Sequence, residues 1–371
     1  MKQNILMYGP QLEVNNAKYG GGTGGYTRNM KTYLESFSSK SFELIPSFHT
    51  VRKHGRLIET NFVSRLLIDV KRFITNVFKY KPAAVHILAQ YRGAAPREFV
   101  ICFICKILKI PVVYEIKAGE FDTWFNSTNP INKFFMRFII KNSGRLLCEG
   151  KRYIYFNEKT FRRDSTYWPN FVPSSEILPL NQIKLGDFTI KPLKVIFIGF
   201  CYEGKGVFEL LKQLNEFSKT YCEVELNLVG QESDDFSSFV DNYEFSTQFK
   251  VIRHGKKEHE EVLDILATSN VFCLPTRHKG EGHNNSINEA MMLGIPIICT
   301  RHGFLEDVLG ADKCVYIDKS NDIYKAFVEF INNPQNIEKN IIEARSFFDK
   351  NLHSDVVTPK LIEIYKDVIK L

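Results

Sequence analysis

Short apolar runs alternate along the chain with longer stretches in which apolar residues return at helical spacing. Residues 4–9, Asn-Ile-Leu-Met-Tyr-Gly, read as a first strand, followed by a loop over Pro10–Thr23 and an amphipathic helix from about Gly24 to Phe37. Phe42–Ile45 reads as the next strand. Then come a strand at Ala84–Leu88, a helix at Arg97–Leu108, a strand at Val112–Ile116, a helix at Ile131–Lys141 and a strand at Arg145–Cys148. Around Trp168–Pro173 the alternation stops, and Val172–Lys191 is a proline-bearing connector without period. A second alternation follows. Val195–Phe200, Val224–Gly230, Phe249–Gly255, Val271–Leu274, Ile295–Thr300 and Cys314–Ile317 read as strands, with helices at Gly206–Phe217, Glu258–Ala267 and Ile287–Leu293. Strand, helix, strand at this spacing predicts parallel sheets covered on both faces, an α/β fold built twice. A length of 371 residues suits two domains, placed at 1–180 and 181–353. The tail 354–371 has Val357, Leu361, Ile362, Tyr365 and Ile369 on one helical face.

Composition changes this picture little. Hydrophobic content of 44% and charged content of 25% are ordinary for a globular chain. No opening segment reads as a signal peptide, and no apolar stretch reaches the ~18 residues of a membrane span, so a cytoplasmic location is expected. The eight cysteines fall mostly inside apolar patterns and read as small buried hydrophobes, including the Cys102-Phe-Ile-Cys105 pair. A net charge of +7 is compatible with phosphorylated substrates, nucleic acid or an anionic membrane.

The chemistry concentrates in Lys279–Pro296, KGEGHNNSINEAMMLGIP. A strand exit there precedes a helix start, the place where free N–H groups and the helix dipole favour a phosphate. Glu281 lies in the loop beside Gly282, and Glu289 lies one helical turn inside, so the two carboxylates can address two ends of one ligand. Ser286-Ile-Asn-Glu289 also satisfies a capping box, the purely structural alternative for Glu289. A second strand-to-helix loop, Gly199-Phe-Cys-Tyr-Glu-Gly-Lys205-Gly206, supplies positive charge at another helix start. Gly20-x-Gly22-x-x-Gly25 satisfies GxGxxG, but the long loop before it argues against a dinucleotide fingerprint.

The Lys279–Pro296 stretch resembles the E-x7-E signature of retaining glycosyltransferases of family 4, with Glu281, Gly282, Glu289, Ala290, Met291, Gly294 and Pro296 in the matching places. Gly199, Lys205 and Gly206 match that family's GRLxxxKG pattern, although Phe200 stands where an arginine is usual. Gly303 and Glu306 match its GGxxE turn. The resemblance implies a GT-B fold, two Rossmann-like domains facing a cleft, with the C-terminal helix crossing back to the N-terminal domain. It implies that Glu281 touches the donor sugar, that Glu289 holds the ribose and that Lys205 meets the donor phosphate. Gly199, Gly206, Gly282, His283, Asn284, Asn285 and Ser286 are the further donor-side residues. On the acceptor side it points to Gly22, Gly24, Gly25 and Glu120. Lys117 occupies the place of a family histidine in Glu115-Ile-Lys117-Ala-Gly119-Glu120-Phe121. With Glu281 and Lys205 it completes the expected catalytic set.

Retaining transfer of this kind needs positioning and stabilisation of charge on the departing diphosphate. No Asp-x-Asp sequence offers a divalent metal site, and neither metal nor cofactor is expected. The expected partners are a nucleoside-diphosphate sugar and a glycan or lipid-linked acceptor of surface polysaccharide assembly, and nucleic acid is not among them. Lys133, Arg137, Lys141 and Arg145 recur along one side of a helix rich in phenylalanine, and Arg65, Lys71, Arg72, Lys79 and Lys81 repeat the pattern over Val63–Lys81. Such faces suit an anionic membrane or simply the core. A catalytically silent nucleotide-sugar-binding subunit and an NAD(P)-dependent oxidoreductase are the alternatives from other classes.

Overall fold

The computed structural model describes residues 2–10, 22–50, 61–177, 191–317 and 322–370. Gly20 and Gly21 of the glycine-rich loop, and positions 178–190 of the connector, lie outside the described residues. The chain forms two compact units, one around Thr23–Ser175 and His353–Leu371 with the opening strand, the other around Glu176–Leu352.

The first unit runs β1 (Gln3–Pro10), α1 (Gly22–Ser36), β2 (Phe42–His49), α2 (Phe62–Tyr80), β3 (Ala84–Ala89), α3 (Ala95–Ile107), β4 (Val112–Ile116), α4 (Phe121–Ser127), α5 (Pro130–Asn142), β5 (Arg145–Cys148), α6 (Lys151–Phe161) and β6 (Thr166–Tyr167). Its six strands pair in parallel in the order β2-β1-β3-β4-β5-β6. Every residue of β3 and β4 is buried, as a strand covered by helices on both faces requires.

The second unit runs β7 (Leu193–Ile198), α7 (Val207–Thr220), β8 (Val224–Val229), α8 (Asp234–Asn242), β9 (Phe249–Gly255), α9 (His259–Ala267), β10 (Val271–Leu274), α10 (Asn285–Leu293), β11 (Ile297–Thr300), α11 (Leu305–Leu309), β12 (Val315–Ile317), α12 (Ile323–Asn332) and α13 (Pro334–Asn351). Its parallel order is β12-β11-β10-β7-β8-β9. Counted from its own first strand this is the doubly wound Rossmann order.

The last helix, α14 (Ser354–Lys370), belongs to the first unit and packs Val357, Leu361, Ile364, Tyr365 and Val368 among Ile5, Met7, Tyr33 and Val113. Burial of Leu361 and Val368 contributes about 1.5–3 kcal/mol apiece. Ile362 and Ile369, expected on the buried face, lie at its margin, and Ile364 and Val368 take the central places. The Tyr365 hydroxyl is 2.8 Å from His86 Nδ1 on β3. Two Rossmann-like units with the final helix returned to the first give the GT-B layout. Arg145 opens β5, as the strand read at Arg145–Cys148 requires, and so does not continue the basic side of α5, which ends at Asn142. Among the described residues, no helix is long and apolar enough to cross a membrane.

Candidate functional site

In the second sheet the strand order reverses between β10 and β7, and ligands of open parallel sheets bind outside the carboxyl ends at such a reversal. Two loops leave these strand ends side by side. The Gly204 carbonyl accepts the Arg277 N–H at 2.9 Å, which ties the loop after β7 to the loop after β10. Gly206 closes the contact: its φ is +70°, and a Cβ there would lie 2.2 Å from the Pro275 carbonyl oxygen. Only glycine fits both demands.

This junction brings Lys205 and Glu281 together, with the Lys205 ammonium bonded to Glu281 Oε2. Thr276 Oγ1 donates to the same oxygen at 2.9 Å, and Asn284 Nδ2 donates to Oε1 at 3.0 Å. Glu281 is 7% exposed. Burial alone would raise its carboxyl pKa, but the Lys205 charge and the hydrogen bonds from Lys205, Thr276 and Asn284 outweigh it and hold the group below the ordinary carboxyl value. Thr276 is a site residue that the sequence pattern missed; its one signal was a hydroxyl two residues past a buried strand.

Asn284 also caps α10, its side chain accepting the Ser286 N–H at 3.0 Å. Ser286 is therefore inside the helix and donates its hydroxyl to Asn284 at 2.6 Å, so Asn284 and not Ser286 is the N-cap, which removes the capping-box alternative for Glu289. Asn284 wins the cap because the same side chain braces Glu281. Glu289 then sits in the body of the helix, buried at 1% exposure. Asn285, the first residue of α10, is half-buried. The His283 ring turns inward, with Nε2 2.7 Å from Asn288 Oδ1, and so packs the loop. Gly303, with φ +62°, lies under this loop, where a Cβ would meet the Glu281 carbonyl oxygen at 2.5 Å. Gly199 ends β7 and donates its N–H to the Val229 carbonyl at 2.9 Å. Gly282 accepts from the Phe304 N–H.

Phe200 does not stand alone at the position without arginine. Its ring is 5.3 Å from that of Tyr202, whose hydroxyl is 2.6 Å from His278 Nδ1. Arg301 pairs with Glu306 at 2.6 Å and stacks on Tyr316. Further along the same edge, an open hollow is lined by Gly230, Gln231, Glu232, Arg253, Gly255 and Lys256 at the ends of β8 and β9. Sequence reasoning did not select it. Among the described residues no three His, Cys, Asp or Glu side chains gather as a metal site.

In the first unit, Lys117 follows β4 and is 2% exposed. Its ammonium lies 2.6 Å from Glu115 Oε1 and donates to Asn170 Oδ1 at 2.6 Å. Glu115 also accepts from Tyr33 at 2.9 Å and faces His86 Nε2 at 3.1 Å. Burial would raise the Glu115 pKa, but Lys117 and His86 reverse the direction and lower it. Burial raises that of Glu149, which accepts the Ala118 N–H at 2.7 Å. Lys117 thus points into a buried network with Glu115 and Asn170. Glu120 pairs with Arg92, a residue the sequence did not single out. Gly22, Gly24 and Gly25 form the opening of α1. The structure brings Lys205, Glu281 and Asn284 into one contact set, while Lys117, Glu120, Gly24 and Gly25 belong to the first unit and Gly22 falls with the second. Cys102 and Cys105 are buried on α3, and burial pushes the Cys105 thiol up to about 12.

Residues 192–333 match the protein family described as glycosyl transferases group 1. The fold of the chain is similar to that of sucrose-phosphate synthase from Thermosynechococcus elongatus, at TM-score 0.72 and 13% identity over 100% of both chains. It is also similar to Anabaena Alr3699/HepE in complex with UDP-glucose, at TM-score 0.66 and 11% identity over 98% of this chain and 99% of that one. WaaG, a glycosyltransferase involved in lipopolysaccharide biosynthesis, aligns at TM-score 0.61 and 14% identity over 97% and 99%. No curated protein matches the sequence. The domain match and the fold together support a glycosyltransferase of GT-B type.

Proposed function

We propose that the protein is a retaining glycosyltransferase, moving a sugar from a nucleoside-diphosphate sugar to a glycan or lipid-linked glycan acceptor in surface polysaccharide biosynthesis, on the cytoplasmic side of the membrane. The observation that carries this reading is the Lys205–Glu281 contact at the strand-order reversal, beside the starts of α7 and α10. A departing diphosphate needs positive charge and backbone donors, and Lys205 with these helix starts supplies both. Glu281, kept ionised by its surroundings, accepts hydroxyl hydrogen bonds from the donor sugar. The hollow at the ends of β8 and β9 extends along the same edge and is assigned to the nucleoside. Glu289 is assigned to the ribose from the family resemblance. The charge on the phosphates is met without metal. Lys117, already engaged in the core, is assigned the positioning of the loop that ends in Glu120, and the first unit is assigned the acceptor.

Calorimetric titration with UDP and GDP in EDTA tests the donor site. One diphosphate should bind, and Lys205→Ala should weaken it by the ~1.5–3 kcal/mol of a charge-assisted hydrogen bond, about 10- to 150-fold. Absence of binding by both, or binding indifferent to Lys205, would overturn the assignment. The anomeric configuration of the product, read by NMR against that of the donor, tests retention.

A further inference from the structure

We propose that the outer face of α2, α3 and α5 is a docking surface for an anionic lipid bilayer. α3 packs against both α2 and α5, so the three helices form one layer. Their outward positions carry large apolar side chains: Val63, Leu67 and Phe78 on α2, Phe103 and Ile107 on α3, Phe134 on α5. Phe78 is 67% exposed and Phe134 58%. Aromatic rings cross the seam between α3 and α5, with Phe99 5.8 Å from Phe134 and 5.0 Å from Phe138, and Phe103 6.0 Å from Phe138. An exposed apolar patch that spans several helices marks an interaction surface.

Charge identifies the partner. The three helices contain only two carboxylates, Asp69 and Glu98, and both are buried. Asp69 is taken up by Arg97 at 3.1 Å and by the Thr50 N–H at 2.9 Å. Glu98 accepts from Tyr114 at 2.6 Å and from the Gln90 N–H at 2.7 Å. Every exposed charge on these helices is positive, including Lys71, Lys79, Lys106, Arg137 and Lys141. The Lys106 ammonium lies 5.2 Å from the Phe138 ring centre, its stem along the aromatic seam. Apolar residues interleaved with lysines fit the boundary between acyl chains and anionic headgroups, where lysine stems lie flat and their charges reach phosphate. A second copy of the chain would bring like charges together, and lysine is depleted from protein–protein interfaces. This surface involves no residue of the donor site, and vesicle binding is measured separately from nucleotide binding.

The test is co-sedimentation of the full chain with phosphatidylcholine vesicles, with and without phosphatidylglycerol, at low and high salt. The chain should bind the anionic vesicles only, and less at high salt. Replacing Lys71, Lys106 and Lys141 by Gln should lower partitioning about fivefold per lysine, on the order of 100-fold in all. Leu67→Asp with Phe134→Asp should abolish binding. Of these positions Lys106 and Phe134 take part in ring contacts, and an unchanged thermal midpoint is the check on folding. Binding to neither vesicle, or binding unaffected by these substitutions, would overturn the proposal. So would a dimer that Phe134→Asp dissolves in a chain that ignores lipid.

Discussion

Glu281→Gln separates the donor-binding role proposed for Lys205 from the sugar-contacting role proposed for Glu281. In the structure the Lys205 ammonium is committed to Glu281 Oε2, and a diphosphate arriving at the start of α7 must share that cation with the carboxylate. At an effective dielectric constant near 20, two unit charges about 4 Å apart attract by roughly 4 kcal/mol, and the cost of removing both from water offsets most of it. A net of about 1 kcal/mol is left to be given up when phosphate takes the lysine. The glutamine amide fills the same volume and can still accept from Asn284, but its nitrogen then faces Lys205 and Thr276 without attracting the ammonium. Lys205 is released. Nucleoside diphosphate affinity should therefore hold or rise by up to about fivefold. Transfer should fall by roughly 30- to 150-fold, the ~2–3 kcal/mol of a lost charge-assisted bond to the sugar. Calorimetry with the diphosphate and single-turnover transfer on the same preparations give the two numbers. Parallel loss of both would show that Glu281 builds the site without touching sugar, and the assigned role would fail.

Gly206→Ala should cost on the order of 3 kcal/mol in urea unfolding, because the methyl meets the Pro275 carbonyl at 2.2 Å in a left-handed backbone. Lys117→Met should cost about 3–5 kcal/mol by leaving Glu115 charged in the core, and adding Glu115→Leu should recover much of it; no recovery would refute the pairing. Glu281 is held below the ordinary carboxyl value of 4.5 in the folded chain, so its contribution to stability is complete above that pH and drains away as pH falls through the lower folded value. The acid limb of a melting-temperature profile should accordingly be shallower in Glu281→Gln than in the native chain, and superimposable limbs would refute the sign.

The sheet of the second unit was legible because a strand buried on both faces must be an unbroken apolar run, and Val271–Leu274 keeps its predicted bounds in the structure. The start of α10 was less legible. Asn284 and Ser286 are both good caps two residues apart, and local chemistry ranks them nearly equal. What separates them is tertiary: Asn284 holds Glu281 with one end of its amide and Ser286 with the other. Arg145 carried two readings, a strand start that the structure bears out and a fourth place on the basic side of the preceding helix that it does not. Its spacing continues the basic side of α5, yet Ser143-Gly144 breaks the helix and the Gly144 N–H joins the Val112 carbonyl at 2.8 Å, which starts a strand. Helix α8, which buries Phe236 and Val240, was not singled out in the sequence.

The two lysine–carboxylate pairs show where sequence reasoning about a site stops. Lys117 and Lys205 both follow a strand of a parallel sheet, and each lies within reach of a buried glutamate. In a parallel strand, side chains alternate between faces, and Glu115 is inside β4 itself, so its charge is enclosed by the layers on either side. Tyr33, His86 and Lys117 must then neutralise or solvate it, and their polar atoms are consumed in doing so. Glu281 instead lies in a loop seven residues beyond the end of β10, at the edge where the sheet order reverses. There the lysine that pairs with it keeps 14% of its side chain in solvent, against 3% for Lys117. A phosphate can reach the first cation and would have to break the core to reach the second. On the proposed reading the same pair of residue types serves ligand exchange at the strand end and braces the core beside β4, and the difference in burial comes from register and sheet order.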